Sequence, residues 1–159
     1  MASRSVACLL VFVYGTLKSG QPNHHWLTLP QNGKSTLIGK GKTSVKFPLV
    51  IGTRYNIPFL LDKPGQGNQI EGEIYEVDKD MFAKLDELEE YPKYYDRQQQ
   101  EIITENNETL QCWLYLLRKF PDRMLDKPYL TSYSNTSEQP YNEKSVRDPK
   151  ITAKDDLNY

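Results

Sequence analysis

The chain has 159 residues, with 20 Lys and Arg against 21 Asp and Glu and a formal net charge of -1. That length suits one domain with a real hydrophobic core. The near-cancelling charge offers nothing to steer nucleic acid or an anionic membrane, so a small neutral or zwitterionic partner is the better fit.

Residues 1–5 read as a frayed end. The apolar run Val6–Val13 is long enough for a buried strand and too short for a membrane helix. Its β-branched and aromatic content predicts a first strand over Val6–Tyr14. Arg4 and this run faintly resemble a signal peptide, but the run passes into Tyr14-Gly15-Thr16 without a small-residue cleavage pattern, which argues against secretion. The triplet Asn107-Glu108-Thr109 is a glycosylation acceptor only in a secreted chain. The two cysteines, Cys8 and Cys112, sit in apolar strand-like runs without metal-ligand spacing. They read as buried thiols in a reducing compartment, the cytoplasm.

At Gly15-Thr16-Leu17 the sequence turns abruptly from core-like residues to small and polar ones. Pattern alone leaves two readings: a plain turn, or a cradle in which glycine admits a ligand and successive amide N–H groups hold an anion. One short helical turn is expected near His24–Leu27. Adjacent histidines point in different directions on either regular element, so His24 and His25 make a poor metal site and read as surface or loop packing.

Strands follow at Ser35–Val45, Leu49–Ile51 and Tyr55–Leu61, where Pro58 predicts an edge or a bend. After a turn at Asp62–Asn68 comes a strand at Gln69–Val77, with Gly72 placed where a larger side chain does not fit. Asp78 predicts the N-cap of a helix over Lys79–Glu90 that Pro92 stops. Extended segments at Tyr94–Glu105 and Leu110–Arg118 flank a hairpin tip at Asn106-Asn107. A short helix is expected at Phe120–Leu125. From Pro128 the composition turns polar. Residues 1–130 therefore read as one domain, and 131–159 as a tail that wraps the surface first and becomes flexible later. Short strands separated by turns, with few helices, predict an α+β fold built on a small barrel or a strongly curved sheet.

The helix holds the sharpest clue. At about 100° per residue from Met81, Leu85 falls at about 40°, Phe82 at about 100° and Leu88 at about 340°, which defines a buried stripe. Asp86 falls at about 140°, Glu87 at about 240° and Glu90 at about 180°, all away from the stripe. Glu89 falls at about 80°, on the stripe. A carboxylate there is costly to ionise unless it is paired or hydrogen-bonded, and desolvation raises its pKa toward the range useful for proton transfer. The bland alternative is that Glu89, near a helix end, leans into water or pairs with a lysine. Tyr91, Tyr94 and Tyr95 follow at once, as pocket walls or as packed rings with satisfied hydroxyls.

These residues resemble the gamma-glutamylcyclotransferase superfamily, and within it the animal gamma-glutamylaminecyclotransferase branch. The resemblance lies in VFVYGTL (residues 11–17) with KSGQPNH (18–24), PLVI (48–51), YNIPFLL (55–61), EGEIY (71–75) and LDELE (85–89) with Pro92. It covers roughly residues 10–118 and returns weakly around Ser132-Tyr133 and Tyr141-Asn142. The long run through His24 is specific, while YGTL alone marks only the wider superfamily. What the resemblance implies is a small mixed-strand barrel flanked by short helices, with the substrate site at the loop Tyr14, Gly15, Thr16 and Leu17. It further implies a catalytic glutamate at Glu89 and cleavage of epsilon-(gamma-glutamyl)-lysine to lysine and 5-oxoproline.

Such chemistry needs no cofactor and no metal, because the substrate's own α-amine is the nucleophile. Tyr95 and Tyr133 are candidate substrate contacts. Tyr141 is a candidate for a lid or for the leaving-group pocket. Glu90, beside Glu89, is expected to be solvated. The tail beyond Tyr141 is longer and more polar than the animal branch suggests. Two rivals remain: a cyclotransferase for gamma-glutamyl amino acids or glutathione, and a non-enzymatic binding member of the fold. Glu89 argues against the second, and the charge balance against a nucleic-acid partner.

Overall fold

The computed structural model describes residues 9–136 and 138–142. Strands β1 (Leu9–Val13), β2 (Ser35–Phe47), β5 (Asn68–Val77), β6 (Asp96–Thr104) and β7 (Thr109–Leu116) close a barrel in the order β1-β5-β2-β6-β7. Neighbours are antiparallel except at the closure, where β1 meets β7 in parallel at Val11 and Trp113. A separate ribbon pairs β3 (Leu49–Gly52) with β4 (Ile57–Leu60). It attaches to the barrel end where the Leu117 amide donates to the Leu60 carbonyl at 2.7 Å. Pro58 lies in this ribbon, at the kind of edge where a residue without an N–H is tolerated. Helix α1 covers His25–Thr28, helix α2 covers Lys79–Leu88, and short 3-10 turns cover Pro30–Asn32 and Asp122–Asp126.

The alternation of side chains explains why the central strands are apolar on both faces. In β1 and β7, Phe12, Cys112, Leu114 and Leu116 point into the barrel, where they meet Phe47, Ile70, Ile74 and Ile102. Val11, Val13 and Tyr115 point outward, where they pack with Met81 and Leu85 of α2. Covering both faces removes the polar alternation a half-exposed sheet would carry. Gly72 is required by this packing. A Cβ there would lie 2.4 Å from the Val13 carbonyl oxygen and 2.7 Å from the Phe12 ring.

Each described strand and α-helix lies where the sequence reading puts it, with ends shifted by up to two residues. The predicted first strand is described from Leu9 onward, and residues 6–8, including Cys8, lie outside the described residues, as do 1–5 and 143–159. Cys112 is a buried free thiol. Helix α2 ends at Leu88, two residues earlier than predicted. Its start is as predicted, with the Asp78 carboxylate accepting the Met81 amide at 2.9 Å.

Its end is a Schellman turn. The Tyr91 amide donates to the Asp86 carbonyl at 2.9 Å and the Glu90 amide to the Glu87 carbonyl at 3.1 Å, with Glu90 at φ 52°. Glycine is the usual occupant of that left-handed position. The turn leaves Glu89 as the helix C-cap and brings the chain back, with the Tyr94 amide donating to the Glu90 carbonyl at 2.9 Å.

Candidate active site

Tyr14 ends β1 and is buried, and its hydroxyl donates to the Tyr115 carbonyl at 2.5 Å. That anchor fixes where the next turn starts. Gly15 is buried against Pro58, and the Lys18 amide closes the turn onto the Gly15 carbonyl at 3.2 Å. The amides of Gly15, Thr16 and Leu17 donate to no acceptor among the described residues. Successive open amides are the groups from which anion-binding concavities are built.

The rest of the loop is fastened from outside. The Asn23 amide donates to the Thr16 carbonyl at 2.8 Å, and the Asn23 side-chain amide to the Thr16 hydroxyl at 3.0 Å. His24 Nδ1 donates to the Leu17 carbonyl at 2.9 Å, whereas His25 is exposed. The pair thus packs as a loop buttress and a surface ring, and among the described residues no group of three His, Cys, Asp or Glu could hold a metal ion.

Glu89 is half-buried at the end of α2. Its charge reaches three phenols: burial raises the pKa of Tyr14, Tyr95 and Tyr115, and the Glu89 carboxylate raises each further. Tyr95 is 7 % exposed, stacks 6.2 Å from Phe59 and meets Tyr94 edge-on at 4.9 Å. Tyr14, Tyr95 and Glu89 therefore share one neighbourhood.

Tyr133 joins it through the tail. It is fully buried, burial and Tyr141 push its hydroxyl up to about 12, and that hydroxyl has no hydrogen-bond partner among the described residues. Tyr141 also acts on Tyr95, and its hydroxyl accepts from the Asn23 side-chain amide at 3.0 Å. Residues 130–136 and 138–142 strap over the barrel. The Leu130 amide donates to Leu49, the Asn135 amide to the Gln21 side chain and the Asn142 amide to Tyr55, at 2.8, 2.9 and 3.0 Å.

Two inward carboxylates escaped the sequence reading. Asp86, expected to face away from the core, accepts from the Tyr115 hydroxyl at 2.7 Å and from Arg97 Nε at 2.9 Å. On the wheel it stands only about 40° from Phe82, so a stripe of ordinary width takes it in. Glu73 is 9 % exposed and accepts from the Ser19 amide at 2.8 Å and the Tyr75 hydroxyl at 3.0 Å. The alternation that puts Tyr75 and Val77 on the outer, covered face of β5 puts Glu73 there too. Glu90, expected in solvent, is half-buried, at a left-handed turn where its carbonyl accepts the Tyr94 amide.

With this geometry in place, residues 11–135 match the family described as Gamma-glutamyl cyclotransferase, AIG2-like. The chain belongs to the gamma-glutamyl cyclotransferase family. It is thus an enzyme chain of cyclotransferase type. It is 64 % identical over 159 residues to the Drosophila melanogaster protein "Putative gamma-glutamylcyclotransferase CG2811", covering all of both chains. It is 41 % identical over 133 residues to "Gamma-glutamylaminecyclotransferase A" of Danio rerio, over 82 % of this chain and 83 % of that one. The crystal structure of an AIG2-like protein from Mus musculus superposes with a TM-score of 0.84 at 38 % identity, over 88 % of this chain and 99 % of that one. The α+β barrel of the gamma-glutamyl cyclotransferase type, read from the sequence, is the fold of this chain.

Proposed function

We propose that the chain cyclises gamma-glutamylamines, chiefly epsilon-(gamma-glutamyl)-L-lysine, and releases free lysine and 5-oxoproline. The substrate's α-nitrogen attacks its own γ-carbonyl carbon, a five-membered ring closes, and the bond from that carbon to the leaving nitrogen breaks. The attacking ammonium loses two protons, one to free its lone pair and one as the ring amide forms, and the leaving nitrogen gains two. Glu89 carries one across, serving first as base and then as acid, and the other is exchanged through solvent, so that lysine departs as its ammonium. Folding the substrate so that amine and carbonyl meet is the entropic part of the work.

In this reading the amides of Gly15, Thr16 and Leu17 receive the substrate α-carboxylate or the developing oxyanion, while Tyr14 and Tyr95 wall the pocket. The buried Tyr133 hydroxyl is offered to a polar group of the substrate, since a buried hydroxyl without a partner is otherwise costly. No metal or cofactor enters the scheme, the partner is a small molecule, and residues 131–159 act as a tail partly packed on the domain. The two cysteines and the charge balance fit a cytoplasmic setting.

The observation that carries the proposal is the position of Glu89, a helix-end carboxylate whose charge acts on the Tyr14, Tyr95 and Tyr115 phenols, Tyr14 being the residue that leads into the open amides of the loop. A second reading, a preference for gamma-glutamyl amino acids, draws support from the broader name of the 64 % identical relative. Release of 5-oxoproline from gamma-glutamyl-lysine isopeptide, gamma-glutamyl-alanine and glutathione separates the two. Turnover of the isopeptide at least tenfold above the others in kcat/KM supports the first, and a preference for gamma-glutamyl-alanine overturns it.

A further inference from the structure

Arg97 of β6 is held from every side. Its guanidinium carbon lies 4.2 Å from the centre of the Tyr91 ring and 4.7 Å from those of Phe82 and Trp113. Its Nε and Nη2 reach the two oxygens of Asp86 at 2.9 and 3.4 Å. Both side chains of the pair are mostly shielded, at 18 % and 24 % exposure. Three flat faces and a two-point carboxylate contact select a guanidinium over an ammonium. Asp86 then passes the restraint on. It accepts from the Tyr115 hydroxyl, and the Tyr115 carbonyl in turn accepts from Tyr14.

Asp86 stands three residues before Glu89 on the same helix, a spacing that makes side chains neighbours. Its backbone carbonyl also receives the Tyr91 amide that closes the helix end. An ion pair and a capping bond thus meet at Asp86, three residues before Glu89, with the aromatic cage around its partner Arg97.

We infer that Arg97 is a positioning residue for the cyclotransfer: through Asp86 it fixes the end of α2 that carries Glu89, and it cancels the negative charge that would otherwise stand beside that carboxylate. This rests on Glu89 being the proton carrier. The groups on which the Glu89 charge acts include Tyr14 from the end of β1, Tyr95 from the segment after α2 and Tyr115 from β7. Asp86 and the adjacent Glu90 lie on its own helix and turn, with Arg97 behind Asp86. The three phenols titrate above their ordinary range, so they stay neutral between pH 5 and 8. In that window the Asp86–Arg97 pair sets the local charge.

The test is the pH profile of kcat/KM for epsilon-(gamma-glutamyl)-lysine in R97Q, R97K, D86N and D86N/R97Q, with E89Q as control. R97Q leaves Asp86 an unpaired anion, so the acid limb moves up by about one pH unit, and kcat falls about tenfold to a hundredfold with a smaller change in KM. D86N leaves an unpaired cation and moves the limb down. D86N/R97Q returns the limb toward the wild-type position. R97K keeps the charge and the limb but recovers only part of kcat, because it lacks the planar fork. Opposite displacements in R97Q and D86N cannot arise from loss of fold alone. If R97Q does not fold, D86N and R97K decide the matter by the same signs. An unmoved acid limb in the folded variants, with E89Q inactive, overturns the role of Arg97 alone. An active E89Q removes the proton-carrier reading beneath it.

Discussion

Glu73 and Glu89 are both inward glutamates set among tyrosines, yet the chain uses their surroundings differently. Glu73 sits in mid-strand, where β5 fixes its backbone, and one of its oxygens takes both the Ser19 amide and the Tyr75 hydroxyl. Those bonds tie the loop after β1 to the barrel wall. Glu89 sits where a helix ends and the chain reverses, against phenols that belong to three other segments. A carboxylate bonded to backbone is a fastener. In the function proposed above, Glu89 instead exchanges a proton with a substrate that comes and goes.

The largest effect is expected from E89Q, with kcat down about 10²–10⁴-fold and the unfolding transition almost unmoved. Steady-state 5-oxoproline release and thermal denaturation check the two halves of that statement. E73Q should invert the pattern. It costs about 1–3 kcal/mol of stability, measured by urea denaturation, while kcat changes less than tenfold. Equal loss of turnover in both variants would dissolve the distinction.

Y75F comes next, because it removes one of the two donors on Glu73 and costs about 0.5–1.5 kcal/mol. Alkali acts on both neighbourhoods together. Burial lifts Tyr75 to about 12, does the same for Tyr133, and raises Tyr14, Tyr95 and Tyr115. A phenol whose folded pKa is raised is fully stabilising below its unfolded pKa of about 10, and that contribution is lost as the pH climbs through the interval up to its folded pKa. Stability should therefore fall steeply above pH 10. Difference absorbance at tyrosinate wavelengths should show these rings ionising only as the protein unfolds. Exhaustive chelation should have the smallest effect, none on turnover, as assayed with and without added divalent metal.

The sequence exposed the strands because β1 and β7 are apolar throughout and the turns carry Gly, Asn and Pro. It exposed Glu89 because a periodic helix makes one misplaced charge visible. Glu73 stayed hidden because β5 carries charges on both of its faces, at Glu71 and Glu73 on one and Glu76 on the other, so no single carboxylate stands out. Asp86 stayed hidden because its partners, Arg97 and Tyr115, lie 11 and 29 residues away. A helical wheel gives the direction of a side chain and nothing of what awaits it there. The early end of α2 followed from Glu90 adopting a conformation usually marked by glycine, a signal its side chain does not announce. The tail's share in the site was legible only through the faint likeness around Tyr133 and Tyr141.

The Asn23 carboxamide has two hydrogens, and the chain uses both: one holds the Thr16 hydroxyl, the other the Tyr141 hydroxyl. Beginning and end of the described chain are thereby yoked through a single nitrogen. An acid of the same shape at this position has no hydrogen to give at neutral pH, so one deamidation event would reverse both bonds, leaving the Thr16 and Tyr141 hydroxyls to donate to a new negative charge, without altering the volume of any side chain.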